Sequence, residues 1–208
     1  MNSGAGRSLH VFQRVDLVVG GRTALELHGH AHYLQQTMTK VHLYEPKPMP
    51  TWLKTLPTDV RFISHDDSRL FRAHRASRAP HELHAQPEGG KRPEGIAAQS
   101  WGAWNWPLVL SSPERALLEL LDELPDKESF HLADMLMQGL TTLSPTRMQK
   151  LLADCRSIKV KRLFFFFADR HQHAWLKRID RKAIDLGKGN GVTCSLLSSS
   201  SRCAVAWP

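Results

Sequence analysis

The sequence predicts an α+β fold, a small mixed α/β unit followed by a mainly helical C-terminal half. Three observations predict it. Two short runs rich in β-branched and aromatic residues alternate with helix-like stretches between Val18 and Ile63. Serine–proline helix starts recur beyond Ser111. Hydrophobic residues make up 41% of the 208 and charged residues 23%, enough apolar surface to bury a core. This length suits one large or two small domains.

Taken in order, Arg22-Thr23-Ala24-Leu25-Glu26-Leu27 reads as a short helix ended by Gly29, and residues 40–44 as a strand. Pro50 opens a helix-like stretch over 51–56, and Val60-Arg61-Phe62-Ile63 is a second strand candidate. Residues 64–99, with Pro80, Pro87, Pro93 and the Gly89-Gly90 pair, read as a loop-rich segment anchored by Leu70 and Phe71. Trp101, Trp104 and Trp106 precede a strand candidate at 107–110, and their rings suit the edge of a core better than a base-stacking platform.

Ser112-Pro113-Glu114 then supplies a cap, a first-turn proline and an early acid for a helix through 116–121, which Pro125 and Asp126 stop. A second helix is expected over 130–140, with Leu132, Met135, Leu136 and Leu140 on its core-facing stripe. Ser144-Pro145 opens a third over 146–155, where Met148, Leu151, Leu152 and Cys155 recur at helical spacing. The last helix covers 160–171. Its Phe164–Phe167 block cannot face one side, so the helix is buried on most of its circumference or lies between two layers.

Composition excludes several classes. The longest apolar run, 163–168, is far short of the roughly 20 residues that span a bilayer, so no membrane partner is expected. Met1–Leu9 holds one Arg and no apolar stretch of the roughly 7 or more residues of a signal-peptide core, so secretion by that route is not expected. Cys155, Cys194 and Cys203 form no C-x-x-C pair, which points to a reduced, cytoplasmic protein without a Cys-rich zinc site.

The formal charge of +8 is unevenly placed. Residues 1–100 carry 13 basic and 9 acidic side chains, residues 101–156 carry 5 and 8, and residues 157–208 carry 10 and 3. The excess therefore sits in Lys159, Lys161, Arg162, Arg170, Lys177, Arg178, Arg181, Lys182 and Lys188. Such a run is either a solvated helix face or a surface for nucleic acid or an acidic partner.

No constellation for catalysis assembles. His28-Gly29-His30-Ala31-His32 contains a glycine after a helix and reads as a helix end, not a metal site. His171-Gln172-His173 suits the C-terminal end of the last helix dipole. The carboxylates of His65-Asp66-Asp67 read as turn or cap groups. Gly187-Lys188-Gly189-Asn190-Gly191 lacks the Lys-Ser/Thr pair and following helix of a phosphate loop, and no Gly-x-Ser-x-Gly elbow exists. A non-enzymatic protein without cofactor is expected.

Three blocks resemble one family. The first is Val19-Gly20-Gly21-Arg22-Thr23-Ala24-Leu25-Glu26-Leu27-His28-Gly29 with Ala31-His32-Tyr33-Leu34. The second is Trp104-Asn105-Trp106-Pro107 running into Leu110-Ser111-Ser112-Pro113-Glu114-Arg115-Ala116 and Glu119-Leu120-Leu121. The third runs from Leu151-Leu152 through Cys155-Arg156-Ser157-Ile158-Lys159-Val160-Lys161-Arg162-Leu163-Phe164 to Arg170-His171, Trp175, Lys177-Arg178 and Asp185-Leu186-Gly187. In order and spacing they are similar to the AbiEi-like antitoxins of type IV, abortive-infection toxin–antitoxin systems, over residues 18–193.

The resemblance implies an antitoxin that neutralises a nucleotidyltransferase-like toxin without a stable complex and represses its own operon. In such proteins a winged helix reads operator DNA, and the C-terminal region carries antitoxin activity and further basic DNA contacts. The chain resembles that C-terminal region, with residues 1–17 as a remnant too short for a winged helix and 194–208 as an atypical, serine-rich tail. Contacts to the DNA backbone are expected from Lys159, Lys161, Arg162, Arg170, Lys177, Arg178, Arg181 and Lys182. The alternative is a protein-interaction module whose basic face meets an acidic partner.

Overall fold

Strands β1 (Val18–Val19), β2 (Lys40–Glu45), β3 (Arg61–Asp66), β4 (Ile96–Trp101) and β5 (Trp106–Ser111) form one mixed sheet. The computed structural model describes residues 17–30, 40–45, 60–72, 94–101 and 106–187. Among these, the helices are α1 (Gly21–Leu27), α2 (Pro113–Asp122), α3 (Phe130–Gly139), α4 (Pro145–Asp154) and α5 (Ile158–His171). Two 3-10 turns follow, Ala174–Arg178 and Arg181–Ala183. The helix-like stretch at 51–56, Trp104, His32, Lys188, residues 1–16 of the expected remnant and the expected tail lie outside the described residues.

The sheet order is β3-β2-β1-β5-β4. β1 pairs antiparallel with β2 and parallel with β5, while β2 and β3 run parallel and β4 and β5 antiparallel. Strand alternation sends Val18, Tyr44, Ile96 and Val109 into one apolar cluster and Val19, Leu43 and Leu110 into another. His42, Tyr44 and His65 share the face of Val18, the face that meets α2.

One expectation needs correction. Residues 64–99 are not all loop, because β3 continues to Asp66 and β4 starts at Ile96. Ile96-Ala97-Ala98-Gln99 has weak strand character of its own, and its pairing with β5 supplies the order that its composition does not. The fold is α+β as expected: the described strands all end by Ser111 and the helices α2 to α5 follow, while the pairing of β5 with β1 brings the strand that leads into α2 to the middle of the sheet.

The helical layer follows the expected boundaries closely. Ser129, Ser144 and Ser157 stand at the N-caps of α3, α4 and α5 and accept from Leu132 N, Arg147 N and Val160 N. Ser112 occupies the N-cap position of α2 without a side-chain capping bond, leaving Pro113 to set the entry. Gln172 ends α5 in the left-handed region at φ 54°.

The largest core lies among helices. Leu117, Leu118, Leu120 and Leu121 of α2 meet Ala24 and Leu25 of α1, Leu151 and Leu152 of α4, and Phe164 and Phe165 of α5. Each fully buried leucine or phenylalanine contributes roughly 1.5–3 kcal/mol relative to exposure. The phenylalanine block divides as its geometry requires: Phe164, Phe165 and Phe167 are buried and Phe166 is 51% exposed. Leu70 and Phe71 are both buried. Phe71 bridges to Cys155 and lies 4.5 Å beneath the Arg115 guanidinium.

The first two sequence blocks meet at Glu119. Its carboxylate accepts from Gly21 N at 2.9 Å, Ser111 Oγ at 3.0 Å and Arg115 Nε at 2.8 Å, all buried. Gly21 adopts φ +54°, and a Cβ at Gly20 would collide with the Glu119 carboxylate and the Tyr44 ring. The glycine pair therefore exists for close approach and for backbone conformation. His28 ends α1 as expected, with its Nε2 2.9 Å from the Ser111 carbonyl.

Candidate nucleic-acid interface

The basic residues singled out by charge counting fall into three structural groups. At the start of α5, Lys159 Nζ donates to the carbonyls of Asp122 at 2.7 Å and Leu124 at 2.9 Å, closing the end of α2. Arg162 Nε donates to the Leu186 carbonyl at 2.9 Å. Lys161 is only 3% exposed and so has little surface to offer a partner. A lysine so placed carries its stem along apolar neighbours.

The second group is ion-paired. Arg170 lies 3.4 Å from Asp134, which also meets His171 Nε2 at 2.8 Å. His171 thus ties α5 to α3, a role beyond the helix-end contact that its position implied. Arg181 pairs with Asp169 at 2.9 Å and covers the Phe165 ring at 4.6 Å from its centroid. Exposed pairs of this kind contribute about 0–1 kcal/mol and leave the cation close to solvent.

The third group is Lys177, Arg178 and Lys182, which are exposed and have no side-chain partner among the described residues. Their backbone is nonetheless firmly held. Trp175 is 4% exposed, stacks on Phe164 at 5.8 Å and donates from Nε1 to the Leu140 carbonyl at 2.8 Å. Ile179 and Ile184 are buried beside it. Gln149 of α4 clasps Asp180 in both directions, accepting from its N–H at 2.8 Å and donating to its carbonyl at 3.1 Å. Asp180 in turn accepts from Lys182 N at 3.0 Å.

Inward residues alternate with outward cations across this segment, so a short irregular stretch presents charge from a fixed scaffold. Such preorganisation lowers the ordering cost of meeting a partner. α4 packs against the first turn and adds Arg147 and Lys150, exposed cations that pair with Glu114 at 3.1 Å and Glu94 at 3.5 Å. Arg156, exposed just past α4, extends the set.

Charge counting overlooked Arg147, Lys150 and Arg156 because residues 101–156 carry more acids than bases. Glu114, Glu119, Glu123 and Glu128 of that segment are buried. The surface of the segment is therefore more basic than its sum. The amphipathic pattern of α4, with Met148, Leu151 and Leu152 inward, carried the signal that Arg147 and Lys150 face out.

Among the described residues no group of three or more His, Cys, Asp or Glu side chains could hold a metal ion. No helix among them is long and apolar enough to cross a membrane. Asp66 accepts from the Ser68 N–H at 3.0 Å and hydroxyl at 2.6 Å, the turn role expected of it.

Comparison with known proteins supplies what geometry alone does not. No curated protein sequence matches the chain. Among solved structures, the crystal structure of the RV2827C protein from Mycobacterium tuberculosis aligns with a TM-score of 0.49 and 15% identity, over 85% of this chain and 57% of that one. The chain thus spans less than two thirds of that protein's length. The model of the family described as "Transcriptional regulator, AbiEi antitoxin, Type IV TA system" matches residues 38–195. That match takes in β2 to β5, the helical layer and the basic turns, and the chain belongs to the AbiEi antitoxin family, transcriptional regulators of type IV toxin–antitoxin systems.

Proposed function

We propose that this chain is an antitoxin and autoregulator that opposes a nucleotidyltransferase-like toxin without forming a stable complex with it, and that it contacts the DNA of its own operon through the basic C-terminal surface. Family membership supports the regulatory role. The observation that carries the DNA contact is the outward trio Lys177, Arg178 and Lys182 on a segment pinned by Trp175 and Gln149.

The role assigned to these cations is contact with phosphates. They sit on 3-10 turns, and the role we assign them is to position the protein on the phosphate backbone without reading bases. Arg170 and Arg181 can turn to phosphate by leaving Asp134 and Asp169, and Lys159 and Arg162 by leaving the carbonyls they hold. Lys161 supports the helix from inside. Neutralisation of three phosphates gives a slope of log affinity against log salt of about −2.7, and each further cation that joins adds about −0.9.

A fluorescence-anisotropy titration of the operon's upstream duplex at two salt concentrations tests this reading. Salt-dependent binding with that slope is expected. Salt-independent binding, or none at low salt, would overturn it. Toxicity rescue in cells that express the cognate toxin, with no co-purification of the two proteins, is the expected outcome for the antitoxin role.

A further inference from the structure

Between the sheet and the end of α2 lies a chain of titratable side chains with no part in the basic surface. His65 Nδ1 is 2.8 Å from Glu123 Oε1, His65 Nε2 is 3.0 Å from His42 Nδ1, and His42 Nε2 is 3.6 Å from Glu128 Oε1. All four side chains are buried, and the two imidazole planes lie within 3° of each other.

Hydrogen-bond arithmetic favours one placement of the protons along this chain. A carboxylate only accepts, so the 2.8 Å contact to Glu123 Oε1 calls for a proton on His65 Nδ1, and it outweighs the longer 3.5 Å approach of Lys127 Nζ to the same nitrogen. Burial works against the Glu123 anion, but hydrogen bonds from His65 and Lys127, whose Nζ is 3.0 Å from Oε2, hold its carboxyl below the ordinary value. With Nδ1 protonated, neutral His65 has a bare Nε2, which accepts from His42 Nδ1–H. Neutral His42 then has a bare Nε2, a buried atom with no hydrogen-bond partner, aimed at a carboxylate oxygen. Two acceptors face each other across 3.6 Å, and one proton is missing between them.

We propose that this gap between His42 Nε2 and Glu128 Oε1 is a one-proton site that latches the β2–β3 edge of the sheet to the turn joining α2 and α3. Uptake of a proton from solvent converts two opposed acceptors into an Oε1–H to Nε2 hydrogen bond. The latch matters because β3 is an edge strand whose one buried side chain is His65. Polar groups, not apolar packing, dock that edge on the helical layer.

The surroundings favour a neutral carboxylic acid as donor. Burial raises the Glu128 carboxyl, with Glu26 and Glu123 adding to it and Arg22 and Lys40 opposing. Burial, with His65 beside it, pushes His42 down to about 4, against a counteracting pull from Glu123, while Arg22 and Lys127 lower it further. Tyr44, stacked on His65 at 4.7 Å, closes the remaining side. Arg22 lies 3.7 Å from Glu128 Oε2, so the two carboxylate oxygens face different partners.

The signs of the two linked effects are opposite. Glu128, raised in the folded state, contributes stability at low pH that is lost as pH rises through its folded value. His42, depressed in the folded state, contributes stability above its ordinary 6.5 that is lost as pH falls toward about 4. Glu128→Gln removes the first effect and supplies a permanent N–H donor to His42 Nε2.

Two measurements on the full chain test the proposal. The unfolding midpoint of Glu128→Gln should exceed that of the unaltered protein most at about pH 8, with the gap narrowing toward about pH 5. Nitrogen-15 NMR of the unaltered protein should show both His42 and His65 as the Nδ1–H tautomer at about pH 8, a readout independent of how well the variant folds. A gap that does not change with pH, or an Nε2–H tautomer at His42 at that pH, would overturn the proposal.

Discussion

Residues 113–129 and residues 174–187 are both rich in charge, and they use it in opposite ways. In the first stretch Glu114, Arg115, Glu119, Glu123 and Glu128 are buried, each with an internal partner. In the second, Trp175, Ile179 and Ile184 are buried and the cations point outward. The difference follows from position. α2 is the central helix, so its polar side chains must satisfy one another, whereas the turns after α5 are covered on one side only. Charge inside specifies how sheet and helices meet, and charge outside is free to meet a partner.

The sharpest way to break this contrast is at Glu119. Glu119→Ala leaves the Arg115 guanidinium buried without its partner and frees Gly21 N and Ser111 Oγ, which should cost about 3–5 kcal/mol in urea unfolding. A loss below about 1 kcal/mol would show that this carboxylate does not organise the junction.

Next in size is Trp175→Phe, which keeps the ring stack on Phe164 but leaves the buried Leu140 carbonyl without its donor, at about 1–3 kcal/mol. Smaller again is Gln149→Ala. Its two exposed bonds to Asp180 should be worth about 1 kcal/mol together, with faster amide exchange at Asp180 as the local readout.

The smallest effect on stability is expected from replacing Lys177, Arg178 and Lys182 together by alanine, within about 0.5 kcal/mol per site. These three side chains touch no partner among the described residues, so the fold has no use for their charge. The same variant should show the largest loss in DNA binding. Stability and binding are thus expected to rank these two regions in reverse order.

Much of the fold was legible because its signals are local. Serine–proline pairs marked the starts of α2 and α4, alternation marked β2, and the impossible one-sided Phe164–Phe167 block announced a helix buried on most of its surface. β4 was not legible, since Ala97 and Ala98 carry little strand preference and pairing with β5 decides the matter. His42, His65 and Glu123 belong to three separate elements, and no spacing in the sequence connects them.

The basic surface was half legible. Counting found the cations beyond residue 156 but not which of them are used internally, because Lys159, Arg162 and Arg170 find carbonyl or carboxylate partners only after the chain has folded. It also assigned an acidic character to residues 101–156 that burial of four glutamates removes from the surface.

The outward trio is the centre of this account, and the salt dependence of DNA binding by the Lys177→Ala, Arg178→Ala, Lys182→Ala variant tests it most directly. Measured beside the unaltered protein, the variant should keep its unfolding midpoint and lose about 2.7 from the magnitude of the slope of log affinity against log salt. An unchanged slope in a folded variant would contradict the account and place the DNA contacts elsewhere on the molecule.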